Sequence, residues 1–384
     1  MNPKHSWFCP CCSDPWTRRR FLAATAALTA APGIVSAQNV VRTVSGKTVP
    51  QIAYESIPNP VTLPDDMYFG ECSGVATNSQ GHIFVLSRGN TSGPAYAAAA
   101  TQLLEFAPDG RFIREIGKHL YAWSFAHTVK VDRYDNIWVT DKGSDMVIKF
   151  TPQGRVAMVW GRKQEASDED TGPVKHLNPP LPSEAGRFRQ VTDVAWDTDD
   201  NAYISDGYIN SRVAKIDKNG NWLKSWGVPG KGPGQFNTPH TIAIDAQNRI
   251  YVGDRGNRRI QVFDTEGKFI RQFTIDVPVP PGARPAIGDI PSETSFAKNA
   301  LFAPGAPWAI CISPGPHQVL YSADAWPGRI YKLTLDGQLL GVLGESGKQL
   351  KQFGWIHEMA CPSEDTLLVG ELLNWRVQKL KLHA

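Results

Sequence analysis

Three stretches of this chain are copies of one another, and that repetition constrains the fold more than any other feature. His127-Thr-Val-Lys-Val-Asp is followed by Asn136-Ile-Trp-Val-Thr-Asp141. Thr192-Asp-Val-Ala-Trp-Asp is followed by Asn201-Ala-Tyr-Ile-Ser-Asp206, and His240-Thr-Ile-Ala-Ile-Asp by Arg249-Ile-Tyr-Val-Gly-Asp254. Each copy reads as two strands of alternating apolar residues about a polar turn. A third strand such as Arg259-Ile-Gln-Val-Phe and a fourth such as Phe269-Ile-Arg-Gln-Phe follow, separated by a Gly-containing turn. Four antiparallel strands make a propeller blade. Looser copies begin at Ser73, near Trp308 and at His357, which makes six. The last copy ends after three strands, and Gln51-Ile-Ala-Tyr-Glu is the candidate for the fourth, covering an otherwise open sheet edge. The expectation is an all-β, six-bladed β-propeller whose ring is closed by an N-terminal strand.

The first 37 residues read as an address instead of a fold. Thr17-Arg18-Arg19-Arg20-Phe21-Leu22 is a twin-arginine pattern, the apolar run from Phe21 to Val35 is too short to span a bilayer, and Val35-Ser36-Ala37 offers a cleavage site. The expected organisation is a signal peptide over 1–37 and one propeller domain over 38–384, exported to the periplasm without a lipid anchor. The chain has 40 basic and 37 acidic residues; setting aside Lys4, Arg18, Arg19, Arg20 and Asp14 of the leader leaves 36 of each. A balanced surface with no basic stripe lacks the phosphate-binding term that nucleic-acid partners require. Cys9, Cys11 and Cys12 fall in the leader. The remaining Cys72, Cys311 and Cys361 are an odd number, which excludes a disulfide scaffold.

Inner strands of a propeller line its central channel, and histidines open those strands in the second, fourth and sixth blades. His127, His240 and His357 are spaced by 113 and 117 residues, with Ser73, Thr192 and Trp308 in the corresponding slots of the odd blades. A lone strand histidine is ordinarily a satisfied core or surface residue, but alternate blades place these three around one axis. Three neutral imidazoles with an open fourth position suit a catalytic zinc ion, with iron or manganese as alternatives. Arg88, Tyr208 and Arg255 follow second strands and so reach the same mouth. A phenol can serve as a base where positive charge lowers its pKa, and a guanidinium can grip a carboxylate.

The repeats resemble NHL repeats, interrupted by polar, Pro-containing insertions at about Lys163 to Gly186 and Asp276 to Lys298. Several motifs also resemble the peptidyl-α-hydroxyglycine α-amidating lyases, a zinc-dependent six-bladed propeller family: Ser205-Asp-Gly-Tyr208-Ile-Asn-Ser-Arg212, Gly234-Gln-Phe-Asn-Thr-Pro-His240 and Asp254-Arg255-Gly-Asn-Arg-Arg-Ile-Gln. Ser87-Arg88-Gly-Asn90, His127-Thr-Val and His357-Glu358 match in outline. The resemblance implies zinc on the three histidines, Tyr208 as base, Arg88 beside the developing charge and Arg255 near the substrate carboxylate. The implied reaction splits a carbinolamide, an N-acyl-α-hydroxyglycine or peptide bearing one, into an amide and glyoxylate. It also implies a structural calcium ion at Glu358 and nearby backbone carbonyls. The chain differs from the family at Ser87 and Asn90, at Trp355 where a Met is expected, and at Ile209 and Val262 where paired cysteines are expected. Two other classes compete: a non-catalytic NHL propeller that binds a protein or ligand, and a calcium-dependent lactonase or esterase, whose channel would carry carboxylates and amides in place of histidines.

Overall fold

Strands of five or six residues with alternating apolar side chains cannot bury both faces alone, so each four-stranded sheet packs against the next. The computed structural model describes residues 40–43, 49–89, 101–163, 180–298 and 300–383. The expected signal peptide over 1–37, Asn90 and most of the first insertion lie outside these residues. Contacts separate residues 1–38 from a compact unit of residues 39–384. The inner strands of the six blades are Cys72–Thr77, Ala126–Val131, Asp193–Trp196, Pro239–Ile244, Ala309–Ile312 and Ile356–Ser363. Each inner strand lies beside the next, and the sixth lies beside the first, so the six enclose a channel. Blade 4 is typical: Pro239–Ile244, Ile250–Asp254, Arg259–Phe263 and Phe269–Ile275 pair antiparallel in that order. The core lies between blades, where Leu86 and Ile116 of blade 1 meet Val129 and Ile148 of blade 2, all nearly inaccessible to water.

The sequence preceding the first blade laces several outer edges. Tyr54–Ile57 is the outermost strand of blade 6, pairing antiparallel with Arg376–Leu382 from Tyr54↔Leu382 to Ile57↔Lys379. The strand thus lies three residues beyond Gln51, which instead bridges to Val342 in the outer strand of blade 5. Thr62 bridges to Arg111 in blade 1. A further strand, Val40–Thr43, joins blade 4 in parallel, a pairing that strand alternation alone does not reveal. The second insertion carries a short helix, Glu293–Lys298. Among the described residues no helix is long and apolar enough to cross a membrane.

One polar device recurs in all six blades and sets the entry to each inner strand. The side chain that ends the second strand, or in blade 5 the one directly after it, accepts a backbone N–H three residues before the channel slot. The pairs are Ser87 with Gly70 (2.9 Å), Asp141 with Ser124 (3.0 Å), and Asp206 with Arg189 (2.9 Å). Asp254 with Asn237 (2.7 Å), Asp324 with Gly305 (2.9 Å) and Glu371 with Gly354 (2.8 Å) complete the set. A buried carboxylate needs several donors to offset its desolvation. Asp254 also receives the Asn257 amide, Arg259 Nε at 2.8 Å and the Gln261 amide. An Asp254→Ala substitution leaves the buried Arg259 charge unpaired and should destabilise the fold by about 3–5 kcal/mol. Chemical denaturation measures this, and an unchanged midpoint would show the anchor to be dispensable.

Candidate metal centre

The slot residues sit on β-bulges, which is why their side chains reach the channel axis. In blades 1, 2, 4 and 6 the pairing register skips one residue at Ser73, His127, His240 and His357. Thr192 and Trp308 repeat the pattern: each N–H reaches the carbonyl of the residue, Ser205 or Ala323, that pairs with the following position. A bulge places two consecutive side chains on one face and re-aims them. Imidazole and the following side chain therefore share the channel face.

Each histidine then bonds the slot residue of the next blade. Nδ1 of His127 lies 2.7 Å from the Thr192 carbonyl, Nδ1 of His240 lies 2.7 Å from that of Trp308, and Nδ1 of His357 lies 2.6 Å from that of Ser73. A carbonyl only accepts, so each Nδ1 carries the proton and each Nε2 keeps its lone pair. Ring nitrogens of the three lie within 4.8 Å of one another. Burial holds all three rings well below the ordinary histidine range, helped by His357, Arg88, Lys142 and Arg255 at His127, by Arg255 and the other two imidazoles at His240, and by Arg88, Arg255 and Lys142 at His357. Three neutral, convergent donors of fixed tautomer are the chemistry a divalent transition metal requires, and the residues fit such an ion.

The mouth residues are positioned by a second repeated clamp. The backbone N–H of Arg88, Lys142, Tyr208, Arg255 and Leu372 reaches the carbonyl two residues ahead of the slot in its own blade. Tyr208 follows Gly207, where an added Cβ would stand 2.0 Å from the Pro239 carbonyl. Glycine there allows blade 3 to close on blade 4, and it brings the phenol to the histidines. Tyr208 Oη lies 3.3 Å from His127 Nε2, 3.2 Å from His240 Nε2 and 3.3 Å from Arg255 Nη2. Burial raises the phenol pKa, but Arg255, Lys142 and Arg88 together bring it below the ordinary value.

Arg255 is 2% exposed, its guanidinium lies 4.3 Å from the Trp308 ring centroid, and its Nε has no partner. Arg88 reaches the group through its charge alone: its contacts are Glu71 at 2.5 Å, the Ala126 carbonyl at 3.0 Å and the Phe125 ring. Sequence reasoning missed Lys142, whose Nζ lies 3.9 Å from the Tyr208 ring centroid. The available signal was its position, directly after a second strand like Arg88 and Arg255. Trp355, Phe302 and Trp308 form an aromatic wall reaching His240 and His357, and the Arg255 guanidinium packs against its Trp308 ring. Ile209 and Val262 are buried, and Cys72, Cys311 and Cys361 form no disulfide.

Glu358, beside His357, is 1% exposed, and its Oε1 lies 2.9 Å from Lys130 Nζ. Burial disfavours the Lys130 charge, but Asp193 and Glu358 outweigh it and hold the ammonium protonated. The expected calcium position therefore faces a cation of the chain itself.

The fold and the cluster define an NHL-type six-bladed propeller with a candidate three-histidine metal centre. The NHL repeat model matches residues 236–263, which include His240 and Arg255. The chain is 25% identical over 341 residues to the peptidyl-glycine alpha-amidating monooxygenase of Mus musculus, covering 82% of this chain and 30% of that protein. It thus spans under a third of the length of that relative. It is 30% identical over 215 residues to NHL repeat-containing protein 3 of Mus musculus, covering 52% and 54%. It is also 27% identical over 214 residues to a probable peptidyl-alpha-hydroxyglycine alpha-amidating lyase of Caenorhabditis elegans, covering 50% and 55%. Among solved structures, a gluconolactonase of Xanthomonas campestris aligns with TM-score 0.54 at 13% identity over 89% of this chain and 97% of that one. A streptogramin B lyase aligns with TM-score 0.51 at 13% identity over 86% and 98%. At such identities the structures establish the propeller fold alone. The chain is a six-bladed propeller carrying an NHL repeat, its relatives include the α-hydroxyglycine amidating lyases, and those relatives support a lyase-like propeller.

The buried neutral imidazoles make the metal-free protein sensitive to acid. Their folded pKa values lie below the unfolded value of about 6.5, so below that pH the unfolded state binds more protons and stability falls as pH falls. Three such groups together approach a slope of roughly 4 kcal/mol per pH unit only well below the unfolded value, and a smaller slope near it. Denaturant midpoints of metal-stripped protein at pH 7 and pH 5.5 measure this, and a flat profile would contradict it.

Proposed function

We propose that this chain is a periplasmic, zinc-dependent carbon–nitrogen lyase, exported by the twin-arginine route, that splits an N-acyl-α-hydroxyglycine into an amide and glyoxylate. The observation that carries the reading is the Tyr208 hydroxyl, held within 3.3 Å of two unprotonated imidazole nitrogens and of the Arg255 guanidinium. The relatives named as amidating lyases support the same chemistry.

His127, His240 and His357 would hold the ion, and an all-nitrogen neutral set favours zinc. When bound, the ion supplies Lewis acidity that lowers the pKa of the substrate hydroxyl. Tyr208, its phenolate favoured by Arg255, Lys142 and Arg88, takes that hydroxyl proton. The oxygen then forms the aldehyde carbonyl of glyoxylate as the C–N bond breaks. The bonding pair leaves on the amide nitrogen, and the Tyr208 phenol returns the proton there, so the phenolate is regenerated. Arg255, with its Nε unengaged, is placed to hold the substrate carboxylate. Trp355 and Phe302, farther along the aromatic wall, would face the acyl end.

Zinc-loaded protein should release glyoxylate from α-hydroxyhippurate. A Tyr208→Phe variant should lose about 100- to 10,000-fold in kcat while elemental analysis finds the metal retained. Unchanged turnover would remove Tyr208 from the chemistry. Neither cleavage nor inhibition with this compound would exclude the hydroxyglycine class. A His240→Ala variant should lose the ion on dialysis.

A further inference from the structure

The buried charge cluster beneath the histidines answers a different question from the lyase reading and does not rest on it. Calcium takes six to eight oxygens. Here the two carboxylates in the channel are already committed. Asp193 Oδ1 accepts the Val194 N–H at 2.8 Å and the Thr128 hydroxyl at 3.2 Å. Its Oδ2 accepts the Thr241 hydroxyl at 3.0 Å and the Ile242 N–H at 2.9 Å. Glu358 Oε1 accepts the Met359 N–H at 3.1 Å and the Lys130 ammonium at 2.9 Å. Lys130 Nζ also lies 3.7 Å from Asp193 Oδ2. Of the four oxygens on these two side chains, only Glu358 Oε2 is left without a partner. A divalent ion drawn to that one oxygen would approach a buried ammonium, and like charges repel strongly where water is excluded.

We infer that the Lys130 ammonium is the chain's own cation in place of a structural calcium ion, joining blades 2, 3 and 6 across the channel. Lys130 lies on Ala126–Val131, Asp193 opens Asp193–Trp196, and Glu358 lies on Ile356–Ser363. Two of these residues adjoin channel-slot positions: Asp193 follows Thr192, whose carbonyl receives His127, and Glu358 follows His357. The cluster thus supports the metal centre from below without needing an ion of its own.

Wild-type protein, dialysed and then exposed to millimolar calcium chloride, should retain well under one calcium per chain by elemental analysis. Its thermal midpoint should be the same with and without the salt. A Lys130→Met variant leaves two buried carboxylates without their cation, and its midpoint should fall by about 5 °C or more. Calcium should restore part of that loss in the variant while leaving the wild type unmoved. Stoichiometric calcium in the wild type, or a calcium-dependent rise in its midpoint, overturns the inference. So does a Lys130→Met variant as stable as the wild type. Should that variant fail to fold, the wild-type calcium content and midpoint decide alone.

Discussion

The bond from each imidazole Nδ1–H to the slot carbonyl of the next blade is the interaction on which the rest of this structure depends. It ties blade 2 to blade 3, blade 4 to blade 5, and blade 6 to blade 1, so half of the inner-strand junctions carry it. It also fixes the tautomer, because a carbonyl can only accept, and that choice turns three lone pairs toward one point. The bulges make it possible. Without the extra residue at each slot, histidine and the following threonine or glutamate would face opposite sides of the sheet. The carboxylate that ends the second strand of each histidine-bearing blade then holds the N–H three residues upstream of the slot, in the loop that leads into the bulge. A single repeated backbone geometry thus produces both ring closure and a convergent ligand set.

Around that set the blades divide the labour. Blades 1, 2 and 4 supply Arg88, Lys142 and Arg255 at one repeated position, while blade 6 places Leu372 there. Blades 5 and 6 contribute Trp308 and Trp355, with Phe302 between them. The mouth interleaves cations with aromatic rings: Arg255 packs on Trp308, and Arg88 and Lys142 lie over Phe125. Trp355 holds this position with a left-handed backbone, φ 58°. That conformation costs a bulky residue free energy, and tilted ring packing against Phe302 and Trp308 offsets the cost. The gluconolactonase and streptogramin lyase share the propeller at 13% identity, so the architecture is common property and the chemistry resides in these few side chains.

Much of this was legible because a propeller repeats. His127, Thr192 and His240 open segments that align residue for residue, so their equivalence around an axis follows from register alone. Tyr208 and Arg255 were legible in the same way, as residues that follow second strands. Lys142 shared their position and carried the same signal, but nothing local marked a lysine there as different from a solvated one. Arg88 was placed at the correct mouth, yet its bonds go to Glu71 and the Ala126 carbonyl instead of to the phenol. Glu358 was expected to face an ion and faces Lys130, 228 residues away in sequence.

By itself the sequence determined the number of blades, the alternation of histidines and the side of the ring to which the mouth residues belong. Those follow from period and strand alternation, which are local properties of a chain. Only the tertiary structure decided which imidazole nitrogen is free, that a phenol and a guanidinium meet there, and that a lysine neutralises the acid beneath. Each of those outcomes is set by distances between blades that no local pattern encodes. They arise when the ring closes and buried polar groups must find partners in whatever side chains stand across the channel.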